Sequence, residues 1–149
     1  MHVGVAGVSL TKILLNTILV PVIGTTGGVL SSAFAAYAFA RIKFFGSKFW
    51  FSCVILTLMI PAQVLIVPQY IIFKKIGFIN HLTAIIIPWF FGGAFFIFLI
   101  VQFIRGLPIE LEEAAEIDGC NKLQTMILVI FPLILPAIVT SSIFSFYWI

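Results

Sequence analysis

The carboxylates of this chain are concentrated in one short segment, "LPIELEEAAEIDGCNKLQ", at positions 107–124. It contains all five acidic residues of the protein: Glu110, Glu112, Glu113, Glu116 and Asp118. Of the whole chain, 62% of the residues are hydrophobic and only 9% are charged. Carboxylates gathered in this way can keep a segment in water, or can form a charge pattern that a partner protein recognises.

The acidic segment predicts a short helix. Pro108 suits the first helical turn, and Glu110 complements the positive N-terminal end of the helix dipole. Gly119 suits a left-handed C-cap after Asp118, so the helix would be about ten residues long.

The predicted helix is amphipathic, with a small apolar face and an opposite acidic face. The apolar face carries Leu111, Ala114 and Ala115, and the acidic face carries Glu112, Glu113 and Glu116. Such a helix can be a solvated part of an interfacial loop or an element that docks on a partner. The two adjacent alanines favour docking slightly, because small residues permit close approach but anchor poorly in lipid.

Other candidate chemistry is sparse. Cys53 and Cys120 form no CxxC pair, and His2 and His81 have no ligand neighbours at metal spacing, so we predict no disulfide framework and no metal site. No GxxxxGK[ST] loop is present to bind ATP phosphates, and no basic stripe with interleaved aromatic residues indicates nucleic acid. The sequence therefore predicts no cofactor and no catalytic site.

The remaining chain is dominated by apolar runs. Four of them contain no Asp, Glu, Lys or Arg, at positions 13–40, 49–73, 82–104 and 123–149. Each is longer than the roughly 20 residues that a helix needs to cross about 30 Å of hydrocarbon. None shows the period-two alternation of an outer-membrane strand. The predicted fold is all-α: a polytopic transmembrane helical bundle of about four spans in a lipid bilayer.

Two of the runs have distinctive local sequences. The second contains Pro61 and Pro68, and we predict a helix from about Phe49 to Ile60 or beyond, then a partly irregular connection and a turn at 77–80. The first contains "GTTGGVLSSAFAAYAFA", whose small residues favour close helix packing inside one bundle rather than a dedicated dimer face.

Basic residues predict the orientation in the membrane. Four alternating spans place the 41–48 connection and the acidic segment on one side, with Lys12 and the Lys74–Lys75 connection on the other. The first side carries five basic residues and the second carries three; the five are Arg41, Lys43, Lys48, Arg105 and Lys122. The positive-inside rule therefore predicts a cytoplasmic acidic segment.

The segment "EEAAEIDGCNKLQTMILVIFPLILP" resembles the EAA loop of permease subunits in bacterial ABC importers. The matching site residues are Glu113, Ala114, Ala115, Asp118, Gly119, Ile130 and Pro132, and Pro136 matches as well. The segments "AAYAFARIKFFG", "MIPAQVLIVPQY" and "FIFLIVQFIRGLPIELEEAAEIDG" are similar to the maltose-type carbohydrate permeases. The resemblance extends over nearly the whole chain.

This resemblance implies a transport subunit rather than an enzyme. The permease would pass a sugar or similar carbohydrate across the bacterial cytoplasmic membrane by alternating access. Two permease subunits would form the pathway, a dimer of ATP-binding cassette ATPase subunits would hydrolyse ATP, and an extracytoplasmic solute-binding protein would deliver the substrate. The EAA loop is implied to be the cytoplasmic coupling helix that docks in a cleft of the ATPase.

Family members commonly have six spans, so we expect residues 1–149 to be a partial permease domain. The alternative is a self-sufficient four-span transporter or channel that forms homo-oligomers. Such proteins usually carry an ionisable residue inside a span, and the four runs contain no acid or base.

Overall fold

A computed structural model describes residues 4–5 and 8–149 of the chain, and His2 lies outside the described residues. Two strands of two residues each pair antiparallel before the first helix: β1 (Gly4–Val5) and β2 (Val8–Ser9). The rest is helical, as the sequence predicts. The elements are α1 (Leu10–Arg41), α2 (Ser47–Thr57), α3 (Ala62–Lys75), α4 (Thr83–Ile86), a 3₁₀ helix (Ile87–Phe91), α5 (Ala94–Arg105), α6 (Glu110–Ile117), α7 (Lys122–Thr125), a π-helix (Met126–Ile130), α8 (Phe131–Leu133) and α9 (Leu135–Trp148).

Helix α1 is the centre of the bundle, and α5, α9 and the 3₁₀ helix pack against it. The buried core draws mainly on α1, α5 and the last run of the chain. Its members are Ala33, Ala36, Tyr37, Phe51, Ile97, Ile100, Val101, Ile104, Met126, Ile130, Ile134 and Ala137. Outside this core, α3 has no buried residue. An apolar outer surface is expected where helices face lipid.

The small residues of α1 serve packing within the chain, as predicted. A Cβ placed on Gly28 would lie 3.0 Å from the backbone oxygen of Trp89, so the two helices approach backbone to backbone. One turn further along, the Ser32 hydroxyl donates to the Gly28 oxygen at 2.6 Å and accepts the Gly93 N–H at 3.1 Å. This second bond satisfies the backbone N–H of Gly93 at the break between the 3₁₀ helix and α5. An unpaired backbone N–H in hydrocarbon would cost several kcal/mol, on the order of the cost of burying any polar group without a hydrogen-bond partner.

The four predicted spans take two forms. Two stretches, Leu10–Arg41 and Thr83–Arg105, are long and apolar enough to cross a membrane. The other two runs are bent, by 100° between α2 and α3 and by 76° between the Lys122–Leu133 stretch and α9. The described chain therefore has two candidate spans, or up to four if each bent pair crosses as one.

The prediction for the segment after Ile60 was partly wrong. We expected an irregular connection, but α3 is a regular helix of 14 residues that includes Pro68. Pro61 forms its N-cap with an extended ψ of 133°, and this extended residue separates α2 from α3. The predicted turn follows, with positive φ angles at Gly77 and Asn80.

The last run is not one continuous helix either. It breaks at Ile134, which has φ −89° and ψ 8°. Pro136 lies in the first turn of α9, where its missing N–H removes no hydrogen bond that the helix needs. Pro132 lies in the first turn of α8 in the same way, so each of these two prolines lies at the start of a helix.

The Gly28 contact generates the first prediction. Gly28→Val should destabilise the protein by about 1–3 kcal/mol, because the Trp89 backbone cannot move aside as a side-chain tip could. The thermal midpoint in detergent measures the effect. Leu30→Val is the matched control, since Leu30 lies exposed on the same helix. Equal midpoints for the two variants would contradict a tight backbone contact.

Candidate functional site

Helix α6 contains most of the acidic residues, and its first turn carries Glu110, Glu112 and Glu113. These carboxylates lie where the helix dipole favours negative charge. The helix begins two residues later than predicted: Ile109 is the N-cap, and Pro108 lies before it rather than in the first turn. The eight helical residues are therefore a slightly shorter version of the predicted element.

The C-terminal end of α6 is a Schellman turn. The Cys120 N–H bonds to the Ala115 oxygen at 2.9 Å, and the Gly119 N–H bonds to the Glu116 oxygen at 3.0 Å. Asp118 is the C-cap, and Gly119 has the predicted left-handed conformation with φ 87°. No atom lies within 4 Å of a Cβ built on Gly119, so the backbone angle alone favours glycine there.

A capping box follows immediately and starts α7. The Asn121 side chain accepts the Gln124 N–H at 2.9 Å, and the Gln124 side chain accepts the Asn121 N–H at 2.8 Å. The Lys122 ammonium forms an ion pair with Glu116, which joins α7 back to α6. The turn between the two helices is thus fixed by local hydrogen bonds.

The faces of α6 differ from those predicted. Glu112 is 4% exposed and Ala115 is 6% exposed, so these two residues form the buried face. Leu111 is 39% exposed, and Ala114 is exposed as well. The sequence analysis placed Glu112 on the acidic face opposite Ala115, and that placement was wrong, because the two residues share the buried face. The helical wheel ranked residues by polarity, and a carboxylate with a buried cationic partner does not follow that ranking.

The partner of Glu112 is Arg41, the last residue of α1. The Arg41 Nε lies 2.6 Å from the Glu112 Oε1, and the two side chains are 11% and 5% exposed. Arg41 Nε–H is not directed at this oxygen, so the contact is an ion pair rather than a well-aligned hydrogen bond. Tyr37, one turn earlier on α1, donates its hydroxyl to the other carboxylate oxygen at 3.4 Å, a long and weak bond.

The same guanidinium also binds the end of α5. Its Nη2 donates to the Ile104 oxygen at 3.0 Å and to the Leu107 oxygen at 2.7 Å. The Ile104 oxygen also accepts the Leu107 N–H at 3.1 Å. Both carbonyls lie at or just beyond the C-terminal end of α5, where a cation is favourable. Arg41 therefore joins the ends of α1 and α5 to α6. We refer to Tyr37, Arg41 and Glu112 as the Arg41 cluster.

An open cleft of about 450 Å³ lies beside the Arg41 cluster, between α6 and the connection that follows α1. Three basic and three acidic side chains line it: Arg41, Lys43, Lys122, Glu112, Glu113 and Glu116. The cleft is balanced in charge, so the arrangement of its individual charges, rather than a net field, would determine what it binds.

The predicted site residues fall into two groups. Glu113, Ala114, Asp118 and Gly119 lie on the exposed side or at the end of α6, whereas Ala115 faces inward. The other two lie in the last run: Ile130 is fully buried at the end of the π-helix, and Pro132 is exposed in α8. Helix α6 contacts the π-helix, so the two groups are adjacent.

Sequence reasoning missed the Arg41 cluster. Tyr37 and Arg41 are four residues apart on one helix and therefore share a face. Glu112 and Ala115 are three apart on α6 and share a face in the same way. Both spacings can be read from the sequence, but no local sequence signal indicates that this face of α1 contacts this face of α6.

The described chain is thus a bundle of apolar helices, with candidate membrane spans, to which an acidic helix is joined by a mostly buried ion pair. The chain belongs to the family of binding-protein-dependent transport system inner membrane components, whose model matches residues 27–149.

Curated relatives agree with this family. A probable ABC transporter permease of Pyrococcus horikoshii is 32% identical, over 90% of this chain and 49% of its own length. The trehalose transport system permease of Mycobacterium tuberculosis is 35% identical, over 91% of this chain and 50% of its own. This chain thus spans about half the length of these relatives.

A solved structure agrees as well. The crystal structure of a bacterial ABC transporter involved in the import of the acidic polysaccharide alginate matches with a TM-score of 0.79 and 26% identity. The match covers 89% of this chain and 46% of that one.

The Arg41 cluster generates the second prediction. Glu112→Gln should destabilise the protein by about 1–3 kcal/mol, because it leaves a mostly buried guanidinium without its counter-charge. Glu113→Gln makes the same chemical change on the exposed face and should stay within about 0.5 kcal/mol. The thermal midpoints of the two variants in detergent measure the difference. If both variants had the same thermal midpoint as the wild type, the Arg41–Glu112 ion pair would not stabilise the protein as we infer.

Proposed function

We propose that this chain is part of the transmembrane permease subunit of a bacterial ABC importer that takes up a sugar or similar carbohydrate. Family membership supports the transport class, and the relatives that transport trehalose and alginate support a carbohydrate substrate. ATP hydrolysis is assigned to separate ATPase subunits, because the relatives of this chain are permease components of ABC transporters.

The exposed face of α6 is the proposed docking surface for the ATPase. Ile117, the last residue of the helix, is 86% exposed, and Glu113 and Ala114 lie exposed one turn before it. An apolar centre with a polar rim is the usual anatomy of a protein–protein interface. This face is the observation that carries the proposal, because the opposite face of α6 is already occupied by the contacts of Glu112 and Ala115.

Each residue of this face has a distinct role in docking. Ala114 permits close approach of a partner backbone, and Glu113 supplies a charge that fixes register. Gly119 and Asp118 end the helix in a defined turn, so the exposed face has a fixed length. Ile130 and Pro132, in the run that α6 contacts, would receive the movement of the docked helix.

Alternating access would follow from two states of the bundle that the ATPase dimer binds with different affinity. The transporter would contain a second permease subunit, and an extracytoplasmic solute-binding protein would deliver the substrate. The family description supports dependence on a binding protein. The positive-inside rule supports a multi-pass chain in the cytoplasmic membrane with α6 on the cytoplasmic side.

The two cysteines provide the third prediction. Cys120 follows the Schellman turn of α6, and Cys53 lies in α2. In a Cys53→Ser background, a membrane-impermeant thiol reagent should label Cys120 in inside-out vesicles and not in right-side-out vesicles. Addition of the ATPase subunit should then decrease the labelling rate, because a docked helix excludes the reagent.

The outcomes separate two claims. Labelling from the outside would overturn the proposed orientation. Labelling from the inside that the ATPase leaves unchanged would keep the orientation and remove the docking role of α6. A Cys120→Ser variant provides the background signal.

The turn after α6 provides the fourth prediction. In the assembled transporter, Gly119→Val should abolish uptake, because a β-branched residue at φ 87° is strained by roughly 1–2 kcal/mol and distorts the docking surface. Gly119→Asn should retain most uptake, since asparagine tolerates this conformation. Uptake of labelled substrate, normalised to inserted protein, is the measurement. Equal uptake by Gly119→Val and wild type would refute the role of the turn.

A further inference from the structure

Helix α6 is attached to the bundle at two separate places. Its backbone packs on α7 and the π-helix, which lead into α9. Its connection to α1 is made by side chains, through the ion pair of Glu112 with Arg41 and the weaker bond from Tyr37. The second attachment extends to α5, because Arg41 also binds the Ile104 and Leu107 oxygens.

We propose that Arg41 and Glu112 are positioning residues for transport, which carry displacement of α6 into α1 and α5. This inference rests on the proposed docking of an ATPase subunit on α6. When α6 is pushed, the contact with the π-helix moves the α9 side of the bundle. The Arg41–Glu112 pair makes α1 and α5 move with it, so that the bundle turns as one body.

The geometry favours a transmitting role for the pair. Arg41 binds carbonyls of one segment with Nη2 and meets the carboxylate with Nε, and its planar guanidinium fixes the angle between these contacts. The buried face of α6 consists of Glu112 and Ala115 alone, and alanine reaches no further than its methyl group. Loss of the Glu112 contact would therefore free α6 from α1 while leaving its exposed docking face intact.

A function in stability alone makes a different prediction. A buried ion pair can often be replaced by apolar residues of similar size without loss of stability. If the pair only fills space, Arg41→Met combined with Glu112→Leu should transport normally. If the pair transmits movement, the double variant should fold and assemble yet transport poorly, because neither methionine nor leucine can bind the Ile104 and Leu107 oxygens.

The test uses the assembled transporter in proteoliposomes and measures three quantities: ATPase subunit bound per permease, ATP hydrolysed, and substrate taken up. For Glu112→Gln, Arg41→Lys and the double variant, we expect ATPase binding to be retained and uptake per ATP to fall at least tenfold. Lys48→Gln is the control, because Lys48 is an exposed basic residue on the same side of the bundle. It should match the wild type in all three quantities.

Three results would overturn the inference: normal uptake per ATP in Glu112→Gln, recovery of uptake per ATP in the double variant, or losses of uptake that the amount of assembled complex fully explains. Failure of the proposed function looks different. In that case the wild-type chain itself would bind no ATPase subunit, and its uptake would not depend on ATP.

Discussion

The arrangement of the bundle depends on one buried cation. Arg41 ends the helix α1, and its guanidinium binds one carbonyl oxygen in the last turn of α5, one just after it, and the carboxylate of Glu112 on α6. Burial of an isolated charge in apolar surroundings is too costly to persist, so the cation requires all of these acceptors. The requirement to satisfy Arg41 therefore helps to fix the position of α6, together with its packing on α7 and the π-helix. The acidic residue that binds Arg41 is withdrawn from the surface.

Because Glu112 is buried against Arg41, the five carboxylates have different structural roles. They are adjacent in sequence, yet they do different things. Glu112 holds the helix, Glu116 pairs with Lys122 across the turn, and Glu113 remains exposed on the outward face. The five carboxylates thus comprise one structural anchor, one partner in a local ion pair and three other exposed residues, Glu110, Glu113 and Asp118.

Local signals in the sequence were sufficient for much of the structure. Apolar run length predicts α1 and the Thr83–Arg105 stretch, and the glycine signal predicts the C-terminal end of α6 and the turn at Gly119. Long-range partners were not predictable in this way. Glu112 is buried because of Arg41, which lies far away in sequence, and no periodicity on α6 contains that information. The regular helix α3 was missed because Pro61 and Pro68 suggest irregularity, although Pro61 starts the helix and its interior includes Pro68.

The Schellman turn and the capping box have a consequence for the thermodynamics of association. Each backbone amide from Asp118 to Asn121 already has an acceptor within the same short segment, without help from another protein. A molecule that binds α6 therefore meets a surface whose backbone is already ordered, and little conformational entropy is lost on binding. Association can then proceed at a rate limited by encounter and orientation rather than by folding of the segment. A segment of this kind can bind and release a partner repeatedly in each cycle without being rebuilt.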